Sequence, residues 1–232
     1  MKSNPGRVAG VAYLLFALTG PFHLIYVPRL LFVRGDAAAT AHNIAAHEML
    51  LRVNALAGFV AAVFFTLIAL LLYRVFKDVN RGAAVLMVVF AVMSAVIGFM
   101  TELNSLAALA VVRENFMSAF DTAQREAFVL LFVRMRGLAM TANELFWGLW
   151  LLPMALLVYR SQFIPRFIGV WLAIDGVAWV VACCVGLLAP QYSDRLFTWF
   201  QPAYMGELVL MFWLIVKGAA PRPVRAEAVA GG

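Results

Sequence analysis

Six apolar stretches run through this chain, near Val8–Val33, Val53–Tyr73, Ala83–Val112, Glu126–Tyr159, Phe167–Ala189 and Leu196–Val216. Each is long enough, as a helix, to cross a hydrocarbon core of roughly 30 Å. Inside such a core the backbone must satisfy its own hydrogen bonds, so the expected fold is all-α, a polytopic six-helix transmembrane bundle. Several stretches nevertheless carry an acid well inside the span: Glu102, Glu144, Asp175 and Glu207. A carboxylate at bilayer depth costs about 2.5–3.5 kcal/mol on insertion scales, so these side chains are expected to face the protein interior or a wet cavity.

The chain is 65% hydrophobic and 13% charged, which leaves little material for a separate aqueous domain. One membrane domain over 1–217 is expected. The tail 218–232, rich in Ala, Pro and Gly, is expected to be disordered and cytoplasmic. The first stretch follows Lys2 and Arg7 but is too long for a signal-peptide core, so it reads as a retained first span. The third and fourth stretches exceed an upright crossing and must tilt, break or project. Pro21 and Pro28 are expected to kink the first helix, Pro153 the fourth and Pro202 the sixth.

Basic residues sort onto one set of connections: Lys2 and Arg7, then Arg74, Lys77 and Arg81, then Arg160 and Arg166, then Lys217, Arg222 and Arg225. The opposite connections carry Arg34, Arg52, Arg113, Arg125 and Arg195, offset by Asp36, Glu48, Glu114, Asp121 and Asp194. By the positive-inside rule both termini are cytoplasmic. The net charge of +6 is then a topology signal, and no nucleic-acid partner is expected. The partners implied are membrane lipids and a lipophilic ligand.

Ala69-Leu70-Leu71-Leu72-Tyr73-Arg74 recurs as Ala155-Leu156-Leu157-Val158-Tyr159-Arg160, and Arg7-Val8-Ala9-Gly10-Val11 is echoed by Arg166-Phe167-Ile168-Gly169-Val170. Two explanations stand side by side. One is three repeated helical hairpins of one hand around a common centre. The other is convergence on the composition of a membrane boundary.

Further phrases carry a family likeness. They are Thr19-Gly20-Pro21-Phe22 with Tyr26-Val27-Pro28, Gly35-Asp36-Ala37-Ala38-Ala39-Thr40, Asn80-Arg81-Gly82, Glu102-Leu103-Asn104, Gly148-Leu149-Trp150-Leu151-Leu152-Pro153 and Gly206-Glu207-Leu208. Together, from about Arg7 to Gly218, the chain resembles the multi-pass membrane family called domain of unknown function 4386. The resemblance implies a location in the bacterial inner (cytoplasmic) membrane. It implies no reaction, ligand or cofactor.

At 1.5 Å per residue, Asp175 and Glu207 lie roughly 14–15 Å from the basic edge, near the midplane, where neighbouring antiparallel helices would let them share a proton. His23 and Glu144 fall at about 24 Å, Glu102 and Asn104 at roughly 31–35 Å and Arg136 at about 36 Å. These depths predict an acidic midplane pair and an outer-half cluster of His23, Tyr26, Glu102, Asn104, Arg136, Asn143 and Glu144. Arg136 and Asn143 are seven residues apart and share a helical face, whereas Arg134 points away. On the third helix Ser94, Gly98, Glu102 and Ser105 form a small or polar stripe suited to packing or to lining a cavity. Glu102 with Arg136 reads as an ion pair between neighbouring helices. Trp147, Trp150 and Tyr26 would flank a cavity for an amphipathic molecule, or anchor the protein at the interface.

Metal binding has little support. His47-Glu48 opens an H-E-x-x-H pattern, but Leu51 stands where the second histidine belongs. His42 and His47 diverge by about 140° on a helix. A site combining His23, His47 and a glutamate is a minor reading. Cys183 and Cys184 read as buried apolar side chains. No Walker loop, dinucleotide fingerprint or G-x-S-x-G elbow is present, and no cofactor is expected. The connection Arg34–Arg52 carries a helix capped by Asp36, either a lid on the outer interface or a solvated loop helix.

Three functional readings follow. The leading one is binding of a lipophilic or amphipathic small molecule in an outer-half intramembrane cavity. The rivals are a proton-coupled small-molecule transporter using Asp175 and Glu207 as its relay, and a membrane enzyme acting on lipid or isoprenoid by acid-base chemistry at the His23 cluster. Transport predicts a polar track joining the outer cluster to the midplane pair.

Overall fold

Hydrophobic runs uninterrupted by helix breakers become long helices here, and a computed structural model describes residues 4–113 and 115–219. Helix α1 (Pro5–Gly20) passes through one π-helical stretch (Pro21–Tyr26) into α2 (Val27–Leu31), and the three form the first span. A short helix α3 (Ala37–Ala46) precedes α4 (Glu48–Phe76), α5 (Arg81–Arg113), α6 (Thr122–Ser161) and α7 (Arg166–Leu188). The chain ends in α8 (Ser193–Phe200) and α9 (Gly206–Val216). Five helices are long and apolar enough to cross a membrane, and a sixth crossing is made if the bent pair Pro190–Phe200 and Ala203–Val216 counts as one span. The chain is a multi-pass, all-helical membrane protein.

The prolines act unequally. Expected to kink, Pro21 instead opens the turn that contains His23 into a π-helix, a common response where a backbone N–H is missing. Pro153 leaves α6 continuous, because one lost bond is small against a helix of 40 residues packed between α5 and α7. At Pro202 the expected kinked helix is a full break, with a bend of 53° between its halves. As a result α9 has only 11 residues, roughly half a bilayer core.

Around the bundle the neighbours run α1, α4, α5, α6, α7, α9 and back to α1, a closed ring in chain order. Glycines set the closest approaches: a Cβ on Gly148 of α6 would stand 2.5 Å from the Gly176 carbonyl of α7, and one on Gly10 of α1 only 2.8 Å from the Ile215 nitrogen of α9. The α1–α9 contact closes the ring and puts Asn4 and Ala219, the ends of the described residues, at the same end of the bundle. There Arg7 donates to the Val216 carbonyl, and Asn4 accepts from Ala219 N–H. Gly218, in the left-handed region at φ 74°, ends α9 by donating to the Leu214 carbonyl. Gly218 and Ala219 are thus buried, while the rest of the expected tail, from residue 220, lies outside the described residues.

The apolar interior divides in two. One cluster joins Phe65, Leu72, Met87, Trp150, Met154, Leu172 and Leu214 at the end that holds the termini. The second joins Val27, Leu31, Ile44, Leu51, Leu109 and Val129 at the opposite end. Helix α3 belongs to the second. Asp36 caps it by accepting from Ala39 N–H at 2.8 Å, and Thr40 and Ile44 are buried under it. Glu48 holds Arg52 and Arg113, each at 2.8 Å, and Arg113 also donates to the Ala45 carbonyl. The helix of the Arg34–Arg52 connection therefore packs on the bundle end.

The end that carries the termini also carries Arg74, Lys77, Arg81, Arg160 and Arg166, and is expected to face the cytoplasm. A single cysteine placed at Asp78, in a chain lacking Cys183 and Cys184, should react with an impermeant thiol reagent only after cells are opened. Labelling of intact cells would reverse the orientation.

Candidate functional site

Between the two apolar clusters, each of four spans presents its polar or smallest residues at the same level. Helix α4 presents Asn54, Gly58, Ala61 and Ala62, and α5 presents Ser94, Gly98, Thr101 and Glu102. From α6 come Arg136, Met140, Asn143 and Trp147, and from the first span His23 and Leu24. Small side chains here leave a cavity of about 240 Å³. Its remaining wall is mostly aromatic, from Phe16, Phe65, Trp150 and Trp179, and Glu207 of α9 also reaches it.

Glu102 is 2% exposed and depends on α4 for space: a Cβ on Gly58 would stand 2.6 Å from its Cγ. One carboxylate oxygen accepts from Asn54 Nδ2 at 3.2 Å, and the other lies 3.7 Å from Arg136 Nη2. Arg136 donates from Nε to Ser105 Oγ at 3.0 Å and sets its guanidinium 5.3 Å from the Phe32 ring centroid. The expected ion pair is therefore present, held by hydrogen bonds and a cation–π contact. Not all of its polar capacity is used. Asn54 Oδ1, Arg136 Nη2 and, facing the cavity from a residue 5% exposed, Asn143 Oδ1 are buried without hydrogen-bond partners. An orphaned buried acceptor costs about 1–3 kcal/mol, which a bound donor would recover.

His23 lies in the π-helical turn, and its Nδ1 donates to the Thr19 carbonyl at 2.8 Å. Because a carbonyl only accepts, Nδ1 carries the hydrogen and the neutral ring keeps an acceptor at Nε2.

The midplane acids are brought together but do different work. Asp175 is wholly buried, and its Oδ2 accepts from the Glu207 backbone N–H at 3.3 Å, at the first turn of α9. That is a helix cap supplied by another helix, with a carboxyl oxygen at the positive end of α9. Gly206 leaves room for it, since a Cβ there would meet Asp175 Oδ2 at 3.1 Å. The Glu207 carboxylate accepts from Tyr13 Oη at 2.6 Å and lines the cavity, which Asp175 does not.

The other expected site residues lie elsewhere. Tyr26 is 60% exposed and stacks on Phe22. Asn104 donates to the Met100 carbonyl of its own helix at 2.8 Å and does not line the cavity. Glu144, half-buried, faces the α7 side near Cys183 and Tyr204. His42 and His47 are exposed, Arg134 is exposed as expected, and among the described residues no group of three or more His, Cys, Asp or Glu side chains could hold a metal ion. Asn54, Tyr13 and Trp179 join the site without having been expected there. Asn54 had a sequence signal, as an amide one residue past the hydropathic edge at Val53, whereas Tyr13 and Trp179 are aromatics inside apolar spans and carry none.

A family model described as domain of unknown function (DUF4386) matches residues 8–218. No curated protein and no solved structure matches significantly. The chain belongs to the DUF4386 family.

Two outcomes are expected on stability in detergent. Glu102→Leu or Arg136→Leu alone should each cost about 3–5 kcal/mol, while the double variant stays near wild type. Additive losses would mean that the pair carries no coupling. At the α9 cap, Asp175→Ala should cost about 1 kcal/mol, whereas Asp175→Asn, whose amide oxygen still accepts, should keep most of it. Equal losses in both would assign the effect to charge and not to capping.

Proposed function

We propose that this DUF4386 protein, working in the bacterial inner membrane, binds a small amphipathic molecule with an apolar body and a polar or cationic head inside the six-helix ring. The observation that carries this reading is a half-open cavity between the helices with a mainly apolar wall and a few converging polar groups, among them the unpartnered Asn143 amide oxygen. The indoles of Trp147, Trp150 and Trp179 offer faces to a cation, and Glu102 and Glu207 offer negative charge. Its volume of about 240 Å³ equals the liquid share of roughly eight waters, which suits a compact organic molecule better than a whole lipid.

The transport reading has one specific support: Glu207, from the midplane, and Glu102, from the outer cluster, line the same cavity. The enzyme reading is weaker, because the contact of His23 is the Thr19 carbonyl and not a carboxylate.

Benzyltrimethylammonium and its uncharged isostere neopentylbenzene serve as probes, read by the fluorescence of the cavity tryptophans. The cation should give a saturable change that Ala61→Leu, which fills the cavity from α4, abolishes in a folded protein. No saturable change with either probe would sink the reading.

A further inference from the structure

Charge bookkeeping separates the two carboxylates of the cavity. Glu102 already has a counter-charge in Arg136 and a donor in Asn54. Glu207 lines the same cavity, yet it takes part in none of the ion pairs among the described residues. Its surroundings supply donors but no cation. From α1 comes the Tyr13 hydroxyl, from α6 the Trp150 indole, and from α7 Asp175, itself acidic, beside Trp179. From α4 the wall is Ala61, Ala62 and Phe65, with nothing titratable, and across the cavity stand His23 and the Glu102–Arg136 pair. Glu207 is half-buried, and a carboxylate drawn out of bulk water without a counter-ion is costly; a proton on its oxygen or a cation in the cavity neutralises it in place.

We infer that Glu207 is an exchange site at which a proton and an organic cation compete, so that each cation bound in the cavity displaces one proton. The inference rests on the binding reading above and deepens it. The step balances simply: the protonated Glu207 carboxyl loses its proton to solvent, and the resulting carboxylate pairs with the ammonium, with no covalent bond to the ligand and no redox change. Asp175 does not share this role. It is wholly buried, lies outside the cavity wall and spends an oxygen on the α9 backbone. Exchange of this kind is the elementary event that a proton-coupled cation carrier requires, and it divides the midplane pair into one working residue and one positioning residue.

The test uses the purified chain in detergent with benzyltrimethylammonium, which has no proton of its own to release, in weak buffer with a pH indicator. Wild type should release up to one proton per cation bound, and cation affinity should fall about tenfold per pH unit on the acid side of the transition. Neopentylbenzene should bind with no release and no pH dependence. Glu207→Gln should abolish release and flatten the pH profile, and Asp175→Asn should retain both. Infrared difference spectra of wild type need no variant, and they should show loss of a protonated carboxyl C=O band when the cation is added. Cation binding without proton release, at an affinity constant across pH, would overturn the exchange and leave the binding reading standing. Release that survives in Glu207→Gln but vanishes in Asp175→Asn would also overturn it. Failure of both probes to bind would remove the binding reading and the exchange together.

Discussion

A helix that begins inside an apolar bundle carries N–H groups that its own turns cannot all receive, and the Glu207 N–H of α9 is one that Asp175 takes. Its 11 residues reach only about half the depth of the other spans, because the chain breaks at Pro202. The preceding turn receives the Gly206 N–H at the Ala203 carbonyl, and without an acceptor at mid-depth the Glu207 N–H would be a buried donor where water is excluded. Asp175 supplies that acceptor from α7, and Gly206 provides the space. Ring closure follows, since α9 is the element that joins α7 to α1. The same turn carries Glu207, whose side chain bonds Tyr13 and lines the cavity. One buried carboxylate thus stabilises the break and fixes where the second one works.

The cavity results from what the helices omit at one level. Apolar clusters close both ends of the ring, and between them Gly58, Ala61, Ala62, Ala95 and Gly98 decline to fill the space that larger side chains would take. Gly58 goes further, because the Glu102 side chain occupies the place a Cβ would need. Burying Glu102 and Arg136 there is costly unless the geometry is good, and Asn54 of α4, Ser105 of α5 and Phe32 at the end of α2 provide that geometry. The polar belt is therefore held by contacts that cross the ring, and it keeps a definite shape while leaving some acceptors free.

Much of this was legible in linear form. Unbroken hydrophobic length marked five spans and the broken sixth, although the helices extend several residues past the apolar runs: α4 starts at Glu48, where the hydropathic edge is Val53. Helical phase and depth joined Glu102 to Arg136 and separated Arg136 from Arg134. Asp36 announced the cap of α3. Depth alone misled for Tyr26 and Asn104. Both lie at the level of the cluster, but Tyr26 turns outward on its side of the first span, and Asn104 satisfies itself on the carbonyl one turn back.

What the sequence determined by itself is the level of each group: the number of residues between a basic edge and a carboxylate sets its depth, because a helix rises by a constant amount per residue. Membership of the all-helical membrane class came from the same source, since the backbone leaves no other way for runs this apolar to satisfy their hydrogen bonds. Azimuth belonged to the tertiary structure. Which face of each helix turns inward depends on the order of neighbours around the ring, on the glycines where backbones touch, and on the π-turn that sets His23. The pairing of Glu207 with Tyr13, 194 residues away, and the parting of its role from that of Asp175 were decided there. Two acids at one depth look alike along the chain; only the packed ring gives one a backbone N–H to cap and the other a cavity to face.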